Sequence, residues 1–440
     1  MNARSTYKII TYGCQMNVAD SQLVAGELAA RGWERVDDER RADLILVNTC
    51  VVRNSAESRA VGRIRQLAHL KRRRPGLVIG VLGCLAQKDG QALLERLSCV
   101  DLVLGTRDLP RIGSLVERVR FGGDRLVSVD AIEQPAAFAA GALRDDRLRA
   151  MVTIMYGCDN FCSYCIVPYT RGREWSRPAD EILAEVRRLA ETGWREVTLL
   201  GQNVNSYRDG DRDFADLLRR VARVDGLARV RFITSHPKDC SERLIEVVAG
   251  EPRVCEHLHL PAQAGGDAVL SRMNRGYSRE AYVRLVERIR RAIPHAALTT
   301  DLIVGFPGET DRDFADTLDL VRAVRWDEAY MFMYSPREGT AAAAWPDDVP
   351  LPVKKERLRQ LIDLQERITG EVHQAHVGTR QEILVEGPSR RSSRILQGRT
   401  RGHKVAIVPG PESLVGQLID VRITRASVHT LFGERLEAHA

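Results

Sequence analysis

Two sets of three cysteines carry the chemistry that this sequence shows on inspection. The first lies in GCDNFCSYC, residues 157 to 165, where Cys158, Cys162 and Cys165 are separated by three residues and then by two. The run that follows, IVPYTRGREWSRP, is full of turn formers and positive charge, so the trio is expected on a loop. The second set, Cys14, Cys50 and Cys84, ends three β-rich runs, TYGC, VNTC and LGC. A single cysteine of this kind is most often a small buried hydrophobe. Three at equivalent positions on three strands read as one group, because the carboxyl ends of strands in an open α/β sheet face a common crevice. Cys99, Cys240 and Cys255 share no such pattern and are expected in the core or as incidental residues.

Structural zinc usually takes four protein ligands, and catalytic zinc more often includes His or a carboxylate. An iron-sulfur cube is normally held by one thiolate per iron, so a trio leaves one iron open to a non-protein ligand. An exchangeable position means reactivity as well as electron storage. The composition agrees with a reducing compartment. The chain has 440 residues, 44% hydrophobic and 28% charged, with no apolar run of membrane-spanning length and a polar start, MNARSTYKIITYG. A cytoplasmic protein with no membrane partner is expected, in which clustered thiols serve metals or catalysis and not disulfides. The net charge of +7 permits a nucleic-acid partner.

The elements that must position these cysteines fall into three parts. Over residues 5–121, apolar runs such as LILVNTC and LVIGVLGC alternate with helical patterns such as NSAESRAVGRIRQLAHL, which predicts a doubly wound parallel-sheet α/β domain. A linker is expected at 122–147. Residues 148–372 repeat the alternation through RAMVTIMYGC, EVTLLGQN, RVRFITSHP, CEHLHLPAQ, LTTDLIVGFPGE and EAYMFMYSP, six strands that suit a partial (βα)6 barrel with its site at the strands' carboxyl ends. Residues 373–440 change to short strands without helices, the pattern of a small all-β barrel.

The CxxxCxxC spacing resembles that of the radical S-adenosylmethionine enzymes. With the upstream trio and the terminal β-domain, the chain resembles the methylthiotransferase family over nearly its whole length, and within it the tRNA branch that makes 2-methylthio-N6-isopentenyl-adenosine. The residues that carry the resemblance include YGCQMN at 12–17, NTC with VRNSAESR at 48–59, GCLAQ at 83–87, GCDNFCSYCIVPYTRGRE at 157–174, TSHP at 234–237, LHLPAQ at 258–263, MNRGYSRE at 273–280 and DLIVGFPGET at 301–310. Ala264 and Gly266 depart from it where relatives often carry serines.

The resemblance implies two 4Fe-4S clusters, one on Cys158, Cys162 and Cys165 that binds S-adenosylmethionine and an auxiliary one on Cys14, Cys50 and Cys84. It implies that one S-adenosylmethionine methylates sulfur at the auxiliary cluster, and that a second is cleaved to a radical that activates C2 of the adenine. Tyr164 would pack near the cofactor's adenine. Gly305, Gly308 and Glu309 follow a barrel strand, where glycines permit close approach to a cofactor and a plain βα turn explains them equally well. Gln202, Ser235, His236 and Gln263 also end barrel strands and are further pocket candidates.

The terminal β-domain resembles the TRAM module, which binds RNA. From 376 to 440 ten Lys or Arg face six acids, with Arg390, Arg391, Arg394, Arg399, Arg401 and Lys404 close together as a phosphate grip. RIRQLAHLKRRRP adds Arg63, Arg65, Lys71, Arg72, Arg73 and Arg74, to touch an RNA stem or to be a solvated helix end. The expected partners are a tRNA anticodon stem-loop, whose unpaired bases can turn outward, and an external one-electron donor, with the chain a monomer. The rival readings are methylthiolation of a ribosomal-protein aspartate or of threonylcarbamoyl-adenosine in tRNA, and a non-enzymatic iron-sulfur sensor that binds RNA.

Overall fold

The computed structural model describes residues 4–51, 54–129, 141–144, 146–389 and 392–436. Residues 130–140 and 145 of the expected linker lie outside the described residues, as do Val52, Arg53, Arg390 and Arg391.

The first part runs β1 Thr6–Thr11, α1 Gln15–Ala30, β2 Glu34–Arg35, β3 Leu44–Thr49, α2 Asn54–Arg73, β4 Val78–Gly83, α3 Cys84–Arg96, β5 Leu102–Leu104, α4 Ile112–Gly122 and β6 Leu126–Ser128. The strands form one sheet in the order β2-β1-β3-β4-β5-β6, and every pair is parallel. All six side chains of β3 are buried, because the two faces of the sheet are covered by different helices. Ile45, Val47, Ile79 and Val81 pack on Ile64 and Leu67 of α2 and Leu93 of α3. Leu44, Leu46 and Leu82 pack on Val24 and Leu28 of α1 and Val116 of α4. A period of two with both faces apolar therefore reads as a continuous hydrophobic run. The strand order reverses between β1 and β3, the point where such sheets leave a crevice at their carboxyl edge. The edge strand β6 falls inside the stretch read as linker, since three residues are too few to show a period.

The central part has six parallel strands. β7 Arg149–Thr153, Glu196–Leu200 and Arg229–Phe232 form one three-stranded sheet, and His257–His259, Ala297–Val304 and Glu328–Met333 form another. A parallel bridge from Val230 to Val254 joins them into an open barrel. Amphipathic helices cover the outside; Ala179–Glu191 buries Ile182, Leu183, Val186 and Leu189 along one stripe.

The helix Leu351–Gln374 leads into a closed five-stranded barrel of Arg380–Ser389, Ser392–Thr400, Val405–Pro409, Leu418–Ala426 and Leu431–Arg435. Its alternate residues Ile383, Val385, Leu396, Val408, Val421 and Ile423 fill the interior. This barrel docks on the amino ends of the central strands. Arg149 of β7 donates to Glu386 (2.7 Å), and the fully buried Arg229 donates to Glu382 (2.8 Å) and to the Arg399 carbonyl (2.7 Å). Arg401 pairs with Glu256 (2.6 Å) and Lys404 with Asp327, while the His257 and His403 rings stack at 5.2 Å.

The expected phosphate grip is corrected for three of its six cations. Arg401 and Lys404 bind carboxylates of the central barrel, and Arg399 pairs with Glu386 (3.3 Å). The charge of Arg401 and Lys404 is spent on docking the domains, and that of Arg399 inside the terminal barrel. In α2 and the residue after it, Arg63 pairs with Glu39, Lys71 with Asp101 and Arg74 with Asp43, whereas Arg65, Arg72 and Arg73 are exposed.

Candidate cluster and cofactor site

The upstream trio sits where three strands hand over to three helices. Cys14 is the N-cap of α1, Cys84 is the first residue of α3, and Cys50 follows β3 just ahead of α2. Helix amino termini carry partial positive charge, which favours thiolates and anionic groups. Gly83 makes the turn into α3 at φ +89°, where an added Cβ would lie 2.7 Å from the Thr49 carbonyl oxygen; no other residue fits. Asn17 pins α1 to β3, its Nδ2 donating to Asn48 Oδ1 (3.2 Å) and to the Thr49 carbonyl (3.1 Å) while its Oδ1 accepts from the Cys14 backbone N–H (3.2 Å). Cys50 and Cys84 are buried and Cys14 is exposed. A hydrogen bond with Cys50 pulls the Cys14 thiol down to about 5, against burial and with help from the Arg171 charge. Burial pushes the Cys84 thiol up, against the Arg171 charge and its hydrogen bond.

The barrel trio lies on a loop, as expected, and a five-residue helix, α5 Val167–Arg171, begins directly after it. Gly157 opens the loop at φ +76°, where an added Cβ would meet the Arg173 carbonyl oxygen at 2.0 Å. Its N–H donates to Gln202 Oε1. The Cys158 N–H donates to the Gly172 carbonyl (3.1 Å) and that of Cys165 to the Cys162 carbonyl (2.9 Å). Asn160 Nδ2 donates to Cys158 Sγ (3.4 Å) and Arg275 Nη1 to Cys162 Sγ (3.3 Å). Burial lifts Cys158 to about 11; burial and then the charge of Cys162 lift Cys165 to about 12. One buried and two partly buried thiols on a single loop are a donor set that suits a bound cationic centre.

Around this loop stand buried polar atoms without hydrogen-bond partners: Gln202 Nε2, Ser235 Oγ, His236 Nε2 and Gln263 Oε1. Each belongs to a sequence-predicted pocket residue at the carboxyl end of a strand. Buried polar groups are nearly always paired in native proteins, so a cluster of orphans marks a place for a polar ligand. The His236 ring is held by the Lys238 N–H donating to Nδ1 (3.3 Å) and by edge contact with Tyr277 (5.7 Å). Burial, then Arg275 and Lys238, push its pKa down to about 2, so the ring is neutral. Gln263 sits at φ +70°. Tyr164 packs edge-on to Phe306 (6.4 Å), its hydroxyl accepting from Arg275 (3.4 Å).

Gly305 and Gly308 have left-handed φ of +69° and +78°, and the space before them is filled by the side chains of Lys354 and Arg272. Glu309 Oε2 accepts from the Gly305 N–H (2.6 Å) and from Arg357 (2.7 Å), leaving only Oε1 without a partner. These three residues build the turn. Cys240 and Cys255 are buried and Cys99 is partly buried.

Two arginines and one aspartate escaped sequence reasoning. Arg275, 4% exposed, donates to Cys162, to the Tyr277 hydroxyl (3.1 Å) and to the Pro261 carbonyl (2.7 Å), so it joins the cysteine loop to the LPAQ end. Arg171 of α5 pairs with Asp20 of α1 at 2.7 Å, both nearly inaccessible, and its charge acts on the Cys84 and Cys14 thiols. The α5 residue thus ties the barrel loop to the upstream trio. A solvent-open cavity of about 450 Å³ lies beside both trios. Val51 and Ile166, each one residue past a cysteine, line it together with Arg65, Lys88 and Arg337.

Comparison with known proteins agrees with this layout. The family model described as the Radical SAM superfamily matches residues 152–321, that described as Uncharacterized protein family UPF0004 matches 6–105, and the TRAM domain matches 374–436. A tRNA-2-methylthio-N(6)-dimethylallyladenosine synthase of Carboxydothermus hydrogenoformans is 50% identical over 98% of this chain and 99% of its own. One from Moorella thermoacetica is 48% identical over 99% of this chain and 100% of its own. The chain belongs to this radical S-adenosylmethionine methylthiotransferase family. Among solved structures, the radical S-adenosylmethionine methyltransferase TsrM from Kitasatospora setae, with cobalamin and a 4Fe-4S cluster bound, aligns with TM-score 0.59. It covers 78% of this chain and 77% of that one at 15% identity, a likeness of fold. Membership of the methylthiotransferase family implies a 4Fe-4S cluster and S-adenosylmethionine, and the thiol trios and orphaned polar atoms fit both. Among the described residues, no helix is long and apolar enough to cross a membrane.

Proposed function

We propose that this chain joins a methylthio group to C2 of N6-isopentenyl-adenosine at position 37 of tRNA. Dimethylallyl and isopentenyl name the same five-carbon substituent here. What supports the reading is the buried Arg171–Asp20 pair, which joins the helix after the barrel trio to the helix that Cys14 caps. Cys158, Cys162 and Cys165 would hold the first 4Fe-4S cluster, and Cys14, Cys50 and Cys84 the second. Two S-adenosylmethionine molecules are used per product. With cluster and cofactor bound, the site gains the one-electron chemistry that an unreactive aromatic C–H bond requires, which acid-base groups alone do not supply.

The protein's own residues do the positioning. The orphaned atoms of Gln202, Ser235, His236 and Gln263 take polar groups of S-adenosylmethionine, and the neutral His236 ring does so without adding charge. The cavity beside Val51 and Ile166 has the volume of a small-molecule site, and its exposed Arg65 suits a phosphate beside a nucleoside turned out of an anticodon loop, while Lys88 is paired with Glu57. An external one-electron donor completes the system. The acting form is a cytoplasmic monomer of three domains, the first extended from 121 to the end of β6 at Ser128, then 148–372 and 373–440.

The test is nucleoside analysis of tRNA from a strain lacking this gene. Isopentenyl-adenosine should remain while its 2-methylthio form disappears, returning when the intact gene is restored. Unchanged methylthio-adenosine with loss of a modified ribosomal aspartate would move the activity to that substrate.

A further inference from the structure

Each trio has one buried arginine, and the two differ in what else they touch. Arg275, beside Cys162, has tyrosine hydroxyls and a carbonyl as its other partners. Arg171, beside Cys84, is paired with a carboxylate, Asp20, at 2.7 Å, with side chains 5% and 2% exposed. The Arg171 backbone is fixed as well, its carbonyl accepting from Arg107 Nη2 (3.2 Å), while the preceding carbonyl of Thr170 accepts from the Thr106 hydroxyl (2.7 Å). A guanidinium stays protonated across the working pH range, so Arg171 is cationic.

The potential of an iron-sulfur cluster follows its net charge, its burial and the hydrogen bonds to its sulfurs. Reduction adds one negative charge. A cation beside a ligand sulfur therefore favours the reduced state and an anion disfavours it, and both act strongly where water is excluded. We infer that the buried Arg171–Asp20 pair sets the reduction potential of the cluster on Cys14, Cys50 and Cys84. Arg171 raises that potential and Asp20 restrains the rise, so that an incoming electron is directed to the barrel cluster, whose arginine has no carboxylate partner among the described residues. Both are positioning residues and neither touches substrate. The inference rests on the reading that the upstream trio holds a cluster.

The experiment uses the full chain carrying Cys158→Ala, Cys162→Ala and Cys165→Ala, so that only the upstream cluster contributes, with a potentiometric titration followed by electron paramagnetic resonance. At the poise where this parent is half reduced, adding Asp20→Asn should raise the ratio of reduced to oxidised cluster about tenfold, and adding Arg171→Gln should lower it about tenfold, each ~59 mV for a one-electron couple. Shifts of opposite sign are what a merely structural salt bridge would not produce. Unchanged ratios, or shifts in the same direction, overturn the inference. Should Arg171→Gln lose its cluster, the near-isosteric Asp20→Asn decides alone: a rise supports the inference, and no change or a fall overturns it. A parent without iron would instead refute the upstream cluster, and this inference with it, and iron content alone distinguishes that case.

Discussion

Replacing Ser235 by alanine should move stability and cofactor affinity in opposite directions. Ser235 follows the strand Arg229–Phe232, is 3% exposed, and its Oγ has no hydrogen-bond partner. A buried polar group without a partner costs about 1–3 kcal/mol of desolvation, so removing the hydroxyl from the cofactor-free chain should be neutral or stabilise it by up to ~1 kcal/mol. When S-adenosylmethionine fills the pocket, the hydroxyl gains a partner, and its loss forfeits one ordinary hydrogen bond of about 0.5–1.5 kcal/mol. The dissociation constant should then rise roughly two- to twelve-fold, taking 1.4 kcal/mol per factor of ten. The assays are the denaturant midpoint of the apo chain and equilibrium binding of S-adenosylmethionine to the reconstituted protein. A fall in the apo midpoint together with unchanged affinity would refute the reasoning, since it would make Ser235 a structural hydroxyl and its neighbours a packed interior.

Two further outcomes follow from the geometry. Gly157→Ala forces a left-handed φ on alanine, at about 1–2 kcal/mol, and drives its Cβ into the Arg173 carbonyl; iron on the barrel trio should be lost while the upstream iron remains, as read by iron content and cluster spectra. The docking of the terminal barrel should weaken in acid, because burial, then neighbouring cations including Arg231 and Arg399, push His403 down to about 2, and burial lowers its stacked partner His257 as well. Their docked pKa values lie below the free value of ~6.5, so docking is full above that pH and weakens as pH falls through it, by up to ~1.4 kcal/mol per unit for each ring. Limited proteolysis of the helix Leu351–Gln374 at pH 7 and pH 5 should show the loosening, and His403→Gln should flatten the dependence.

The sequence shows the two cysteine trios because their spacing and their places after apolar runs are local patterns. The doubly wound sheet is equally legible, as β3 and β4 are apolar on both faces and α2 and α3 are amphipathic. What stayed hidden is long-range. Arg171 and Asp20 are 151 residues apart, and Arg275 is 113 residues from Cys162; among 66 Lys and Arg nothing singles either arginine out. The same blindness explains Arg401 and Lys404. A run of cations reads as a phosphate grip until Glu256 and Asp327 are found facing them.

The central claim is that both trios are needed to insert sulfur, and reconstituted protein tests it on tRNA bearing isopentenyl-adenosine, with S-adenosylmethionine, a sulfur source and a one-electron reductant. The intact chain should carry roughly eight irons by one thiolate per iron in two open cubes and should yield 2-methylthio-N6-isopentenyl-adenosine by mass spectrometry of the digested nucleosides. The chain with Cys14→Ala, Cys50→Ala and Cys84→Ala should keep about half the iron, still cleave S-adenosylmethionine, and yield none of that nucleoside. Formation of the methylthio product by this variant would contradict the account.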